Sequence, residues 1–242
     1  MIVLAVDTAG PACAVAVWRD GAVPARRAEA LSRGHAERLL PMVLATLDDA
    51  GLGFGAIDLY AVTVGPGSFT GLRVGLAAVG GMALAAGRPI VGVTTFAAAA
   101  AAVPAAERAG RTIVVAVDSR RGDLFVQAFG PAGGAVAHGD ADGRAGALRA
   151  LAGPAVVAPD GLAAVLPAGP LVLAGDAAAA ARAALPADAD VRVASNAGAV
   201  DPAVVAALAA ADAGRAQPDP PPPLYLRAPD ATPAPPGRVG AT

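Results

Sequence analysis

A short apolar run that ends in an acid and a hydroxyl occurs twice in this chain, near the start of each half. Val3-Leu4-Ala5-Val6-Asp7-Thr8 aligns with Val114-Val115-Ala116-Val117-Asp118-Ser119, and an alternating apolar segment follows each after a turn, Cys13 to Trp18 and Leu124 to Phe129. Apolar runs bounded by turn residues read as buried strands, and the segment that follows each reads as the return strand of a hairpin. Repetition of the unit predicts two related α/β domains in tandem. The natural boundary is Pro104 to Gly110, which gives units at 1–104 and 111–215 and leaves a proline-rich tail at 216–242 with Leu224-Tyr225-Leu226-Arg227 as its apolar anchor.

The first half reads as strands at 2–7, 12–19, 23–30, 59–64 and 90–93, with helices at 35–50, from Ser68 or Thr70 to Ala86, and at 95–103. Pro41 lacks a backbone N–H and costs this helix a hydrogen bond unless it falls in the first turn, which would set the start later than His35. Ser68 or Thr70 is a helix-starting hydroxyl and Gly87 a helix-ending glycine. In the second half alanine and glycine blur every period. Strands are expected at 112–117, 123–129, 155–158 and 171–174, and helices at 144–152, 176–184 and 201–213.

Three features offer chemistry. Asp7 and Asp118 stand at the carboxyl ends of buried strands, where α/β folds place groups that hold a magnesium-bound phosphate; the same residues also cap turns through their own backbone. Val172-Leu173-Ala174-Gly175-Asp176 is a strand opening on glycine, a junction that can pack against a nucleoside. The glycine-rich run 65–75 reads either as an anion cradle at a helix start or as a set of small residues admitting a close neighbour. Helical projection favours packing. Gly71, Gly75, Ala78 and Met82 form one stripe, and Leu72, Leu76, Val79 and Ala83 form another. Beyond Arg73 the helix has no charge on any side, and a helix apolar all round must be covered all round. Its neighbour repeats Ala36, Leu39, Leu40, Val43 and Leu47 on one face, so the pair asks for a partner.

Composition closes other routes. All 18 basic residues are arginine, which excludes a phosphate-loop lysine and a Schiff base. A lone Cys13 excludes an internal disulfide, and it reads as a buried structural thiol. A net charge of -2 leaves no basic surplus for autonomous nucleic-acid binding. His35 is followed four residues on by Leu39, where a second metal ligand would lie, and His138 sits in a glycine-rich loop, so no metal site is expected. The hydrophobic fraction of 55% is mostly alanine and valine, and its uncharged stretches are short or interrupted by proline and glycine, so neither a membrane span nor a leader is expected and the location is read as cytoplasmic.

The segment Gly65-Pro66-Gly67-Ser68-Phe69-Thr70-Gly71-Leu72-Arg73-Val74-Gly75-Leu76 resembles the signature of the TsaB (YeaZ) family of tRNA threonylcarbamoyladenosine biosynthesis proteins. Leu4 to Thr8, Ser32 to Met42, Asp118 to Asp123 and Pro223 to Arg227 resemble family blocks in the same order. The resemblance implies the fold of the actin-like ATPase, sugar kinase and heat-shock ATPase superfamily, with two tandem ribonuclease-H-like domains. It implies a non-catalytic subunit that pairs with a TsaD-like transferase and a TsaE-like ATPase, or with a second copy of itself when alone. The partner surface it implies lies on the two helices, at Leu39, Leu40, Val43, Leu47, Gly71, Leu72, Gly75, Leu76 and Val79. TsaD-like proteins carry His-x-x-x-His, and this chain has His35-Ala36-Glu37-Arg38-Leu39. Ala9, Ser119 and Arg121 also depart from the residues that relatives often carry, which implies a vestigial nucleotide site at Asp7, Thr8, Asp118 and Gly175, with no cofactor or at most weak ATP or ADP with magnesium. An actin-like ATP-binding enzyme using Asp7 and Asp118 is the alternative.

Overall fold

The computed structural model describes residues 1–131 and 148–227. His138, residues 144–147 of the expected helix and residues 228–242 of the tail lie outside the described residues.

The first sheet is built by β1 (Ile2–Asp7), β2 (Ala12–Arg19), β3 (Ala22–Ala30), β4 (Leu59–Gly65) and β5 (Ile90–Thr94), in the order β3-β2-β1-β4-β5. β1, β2 and β3 form an antiparallel meander, and β4 and β5 run parallel to β1. The second sheet repeats the plan. β6 (Thr112–Asp118) pairs antiparallel with β7 (Leu124–Pro131), which pairs with both β8 (Leu148–Ala150) and β9 (Ala155–Val157). On its other side β6 runs parallel to β10 (Leu171–Ala174), and β10 to β11 (Val191–Val193). The two copies of the sequence repeat thus occupy the same central position, Asp7 opposite Ala14 and Asp118 opposite Leu124. Helices on both faces explain why β1, β4, β6 and β10 are nearly continuous apolar runs.

The helix α1 (His35–Asp49) starts at His35 after the left-handed Gly34, not later. Pro41 lies on the exposed side of the helix, as does Glu37, whose carbonyl it leaves without an N–H donor. α2 (Phe69–Ala86) is capped by Ser68, whose hydroxyl accepts from the Gly71 amide, and it closes on Gly87 at φ 61°. Among the described residues it is the one helix long and apolar enough to cross a membrane, but Leu72, Leu76, Val79 and Ala83 are packed into the protein's own interior. Two features depart from the expected second half. Where a helix was expected at 144–152, residues 148–150 pair with β7 as a strand, and β11 was not anticipated; alanine-rich sequence leaves the decision to tertiary pairing.

Two of the remaining helices, α3 and α7, cross between the units. α3 (Thr95–Ala102) puts Phe96, Ala99 and Ala100 into the core beside β6 and β7, and the short α4 (Ala105–Arg108) leads into β6. α5 (Leu162–Val165) and α6 (Ala178–Ala183) belong to the second sheet, whose outer core includes Leu162, Ala178 and Ala181. α7 (Pro202–Ala211), expected within the unit 111–215, returns to the first sheet: Val205, Ala206 and Ala209 pack with Val3, Ala5, Leu59 and Val91. A division of the chain near residue 104 therefore separates the sheets but not the helices that cover them.

Candidate functional site

Parallel pairing of β1 with β4 sets Val6 against Val62, which brings Thr63 beside the carboxylate at the end of β1. Asp7 is fully buried; its Oδ1 accepts from the Thr63 hydroxyl at 2.6 Å and from the Ala9 amide at 3.2 Å, while Oδ2 has no partner. Burial pushes the Asp7 carboxyl up from 3.8 to about 6, against the lowering effect of those two hydrogen bonds, and the nearby Asp176 adds a smaller push in the same direction. Thr8 donates its hydroxyl to the Gly71 carbonyl at 2.7 Å, tying the end of β1 to the first turn of α2. The glycines at 71 and 75 permit this approach, because a Cβ on either would fall inside contact distance of the Thr8 carbonyl or hydroxyl oxygen.

A carboxyl that binds its proton more tightly in the folded state than in the unfolded one stabilises the fold below both values and loses that advantage as pH rises. The share of stability that depends on Asp7 is therefore expected to fall between about pH 4 and pH 6, by about 3 kcal/mol for the two pH units of displacement, and to stay flat above. Urea unfolding across this window should show the decline in the native chain and its loss in Asp7→Asn, which keeps the oxygen that Thr63 needs.

On the other side of the cleft, Asp118 turns back on its own loop and accepts from the Arg120 amide at 2.7 Å. Asp176, which follows Gly175, accepts from the Asp118 amide at 2.9 Å. Arg120 lies between the two carboxylates, 3.5 Å from Asp118 and 3.7 Å from Asp176. Burial raises the Asp176 carboxyl, and the Asp118 amide and the Arg120 guanidinium oppose the rise. Gly175 takes φ 92° because the β10 to α6 turn passes against the Ala116 carbonyl, leaving no room for a Cβ. The suspected nucleotide residues fall in two groups, Asp7 with Thr8 at the end of β1 and Asp118 with the Gly175–Asp176 turn, and they do not fit a magnesium-bound phosphate as they stand. Asp7 is sealed from solvent, and Arg120 supplies the positive charge that Asp118 would otherwise seek from a cation. Thr63 and Arg120 carry no local sequence signal for these roles, although strand register marks Thr63, and Asp176 is marked only as part of the Val172–Asp176 junction.

The helix pair changes the expected partner surface. Leu39, Val43, Leu47, Leu72, Leu76 and Val79 are no more than 8% exposed, and Gly71 and Gly75 are buried against Thr8. These eight residues form the protein's own core, because the small-residue stripe of α2 faces β1 rather than a partner. Of the nine, Leu40 alone is exposed, at 51%. The outer face carries other apolar groups: Leu44 is 51% exposed, Leu84 83% and Phe69 46%. A groove between the helices continues this face past Ala36, Val74, Ala77 and Ala78. His35 is buried, its Nε2 has no partner, and Leu39 points into the core, so the His-x-x-x-Leu pair faces inward.

Residues 19–218 match the family model described as TsaD: tRNA N6-adenosine threonylcarbamoyltransferase. The chain is 41% identical over 125 residues to the tRNA threonylcarbamoyladenosine biosynthesis protein TsaB of Escherichia coli, a match covering 52% of this chain and 53% of that protein. It thus spans about half the length of that relative. An uncharacterized Mycobacterium tuberculosis protein is 39% identical over 147 residues, covering 57% of this chain and 67% of its own length. YeaZ from Pseudomonas aeruginosa superposes with a TM-score of 0.73 at 28% identity, over 93% of this chain and 99% of that one. The two repeated sheets form the α/β fold shared with YeaZ, and the chain belongs to the family of the TsaD model, within which its relatives include TsaB and YeaZ proteins.

Proposed function

We propose that this chain is a non-catalytic subunit in threonylcarbamoyladenosine biosynthesis, working in the cytoplasm and pairing with a TsaD-like transferase subunit through the outer face of α1 and α2. The observation that carries the reading is that face. Leu40, Leu44, Phe69 and Leu84 lie exposed on two adjoining helices, and an apolar patch of this kind on a folded domain marks a protein contact. In the absence of the transferase the same face pairs two copies of the chain, and a TsaE-like ATPase joins the assembled complex. Transfer chemistry and most contact with tRNA are left to the partners, in keeping with the acidic balance of this chain and its missing second histidine. Mixing with a TsaD-like subunit tests the reading: a stable complex is expected by sedimentation, and a chain that stays separate contradicts it.

A second reading, an ATP-binding enzyme, is favoured by the equivalent positions of Asp7 and Asp118 at the two central strand ends. Calorimetric titration with ATP and magnesium separates the two. The scaffold reading expects no tight stoichiometric binding to the isolated chain, whereas tight binding abolished by Asp7→Ala establishes the second.

A further inference from the structure

The tail does not leave the body of the protein at residue 216. From Gln217 to Arg227 it crosses the first unit and reaches the second, held at Gln217, Pro220, Pro221 and Leu224 by the surface beneath. Gln217 exchanges backbone hydrogen bonds with Ile90 of β5. Pro220 lies over Gly80 of α2 and Pro221 over Gly92 of β5. A Cβ on Gly80 would come within 2.7 Å of Pro220, and one on Gly92 within 2.8 Å of Pro221. The Leu224 amide donates to the Val64 carbonyl at the end of β4 at 2.7 Å, and its own carbonyl lies where a Cβ of Gly65 would stand, at 2.8 Å. Three glycines on three separate elements thus cut one continuous track, in step with Pro220, Pro221 and Leu224.

Beyond the track the strap makes its crossing. The Tyr225 ring packs on Phe69 with 5.2 Å between centroids, and Arg73 covers the Phe69 ring at 3.7 Å while donating to the Tyr225 hydroxyl. Leu226 packs against the second unit's core, the cluster containing Phe125 and Phe129. Arg227 pairs with Asp123 in the β6–β7 turn, a contact only about a third exposed on either side.

We infer that residues 217–227 are an interdomain clamp, a proline-stiffened strap laid in a glycine track on the first unit and anchored on the second, which fixes the angle between the two sheets. Units joined by short links move relative to one another by default. The chain already crosses at 104–111 and returns before α7, and the strap supplies a third crossing. Pro218 and Pro220 to Pro223 hold the strap extended before it docks, which lowers the entropy lost in ordering it. Leu224 to Arg227 also wall the cleft of about 650 Å3 that Ser68, Thr70 and Ser119 share, so the clamp narrows the space between the units.

Spin labels on Asp48→Cys in α1 and Arg192→Cys in β11 report the distance between the units in the full chain; Cys13 is spared, since burial raises its thiol to about 11 and leaves it protonated. Pulsed dipolar spectroscopy is expected to give one narrow distance distribution in the parent. Arg227→Asp, which sets two carboxylates face to face, and Gly80→Leu, whose Cβ runs into the Pro220 ring of the strap, should each broaden or shift it while circular dichroism stays native. Adding Asp123→Arg to Arg227→Asp should restore the narrow distribution. A parental distribution in either single variant overturns the clamp, and so does a charge exchange that leaves the distribution broad.

Discussion

Replacing Gly71 with alanine is expected to lower the melting temperature by about 10 °C, whereas the same replacement ten residues further along the same helix, at Gly81, should leave it unchanged or raise it. The difference lies in what each new methyl meets. At Gly71 the nearest atom is the Thr8 carbonyl oxygen, part of the backbone at the end of β1, and no side-chain rotation relieves the overlap. The helix must lift from the sheet, which also strains the Thr8 hydroxyl bond to the Gly71 carbonyl and the core contacts of Leu72 and Leu76. Overpacking of this kind costs about 3 kcal/mol, and in a chain of this size each kcal/mol moves the midpoint by about 2–4 °C. Nothing lies within 4 Å of a Cβ at Gly81, so alanine there gains up to about 1 kcal/mol of helix propensity. Thermal unfolding followed by circular dichroism checks both signs. Equal small effects at the two positions would show that α2 is not seated on Thr8.

The second large effect separates core from surface on neighbouring residues. Leu39→Glu and Leu72→Glu place a carboxylate among fully packed side chains, a change that costs several kcal/mol unless the group stays protonated, and both are expected to abolish folding or to leave an aggregating chain. Leu40→Glu and Leu84→Glu put the same charge on the outer face and are expected to change stability by less than about 0.5 kcal/mol. Urea unfolding of the four variants checks the pattern. The adjacent pair Leu39 and Leu40 is the sharper comparison, since composition and helix position are held nearly constant.

Much of the fold is legible before any coordinates. The doubled strand ending in Asp announces the two sheets, and Ser68 and Gly87 mark the ends of α2 because caps act through local backbone geometry. What the sequence leaves open is the direction in which an apolar helix faces. α2 has apolar residues on all sides, so periodicity yields two stripes without ranking them, and the glycines that suit a partner helix suit an adjacent strand end equally well. The same limit hides the strap: no local signal tells Gly80 and Gly92 that Pro220 and Pro221 will lie on them, more than a hundred residues later in the chain. Arg120 is similar, because its two carboxylates come from its own strand end and from the loop after β10. Alanine-rich sequence explains the remaining departures, as residues 148–150 become a strand through pairing rather than pattern.

The docking surface proposed for a TsaD-like subunit is the outer face of α1 and α2. Its most direct test is sedimentation velocity of equimolar mixtures of that subunit with the native chain and with the double variant Leu40→Glu/Leu84→Glu, each first shown by unfolding to be native in stability. The native chain is expected to sediment with its partner as one complex and the double variant as two separate species. Complex formation by the double variant at native affinity would place the contact elsewhere and contradict the account.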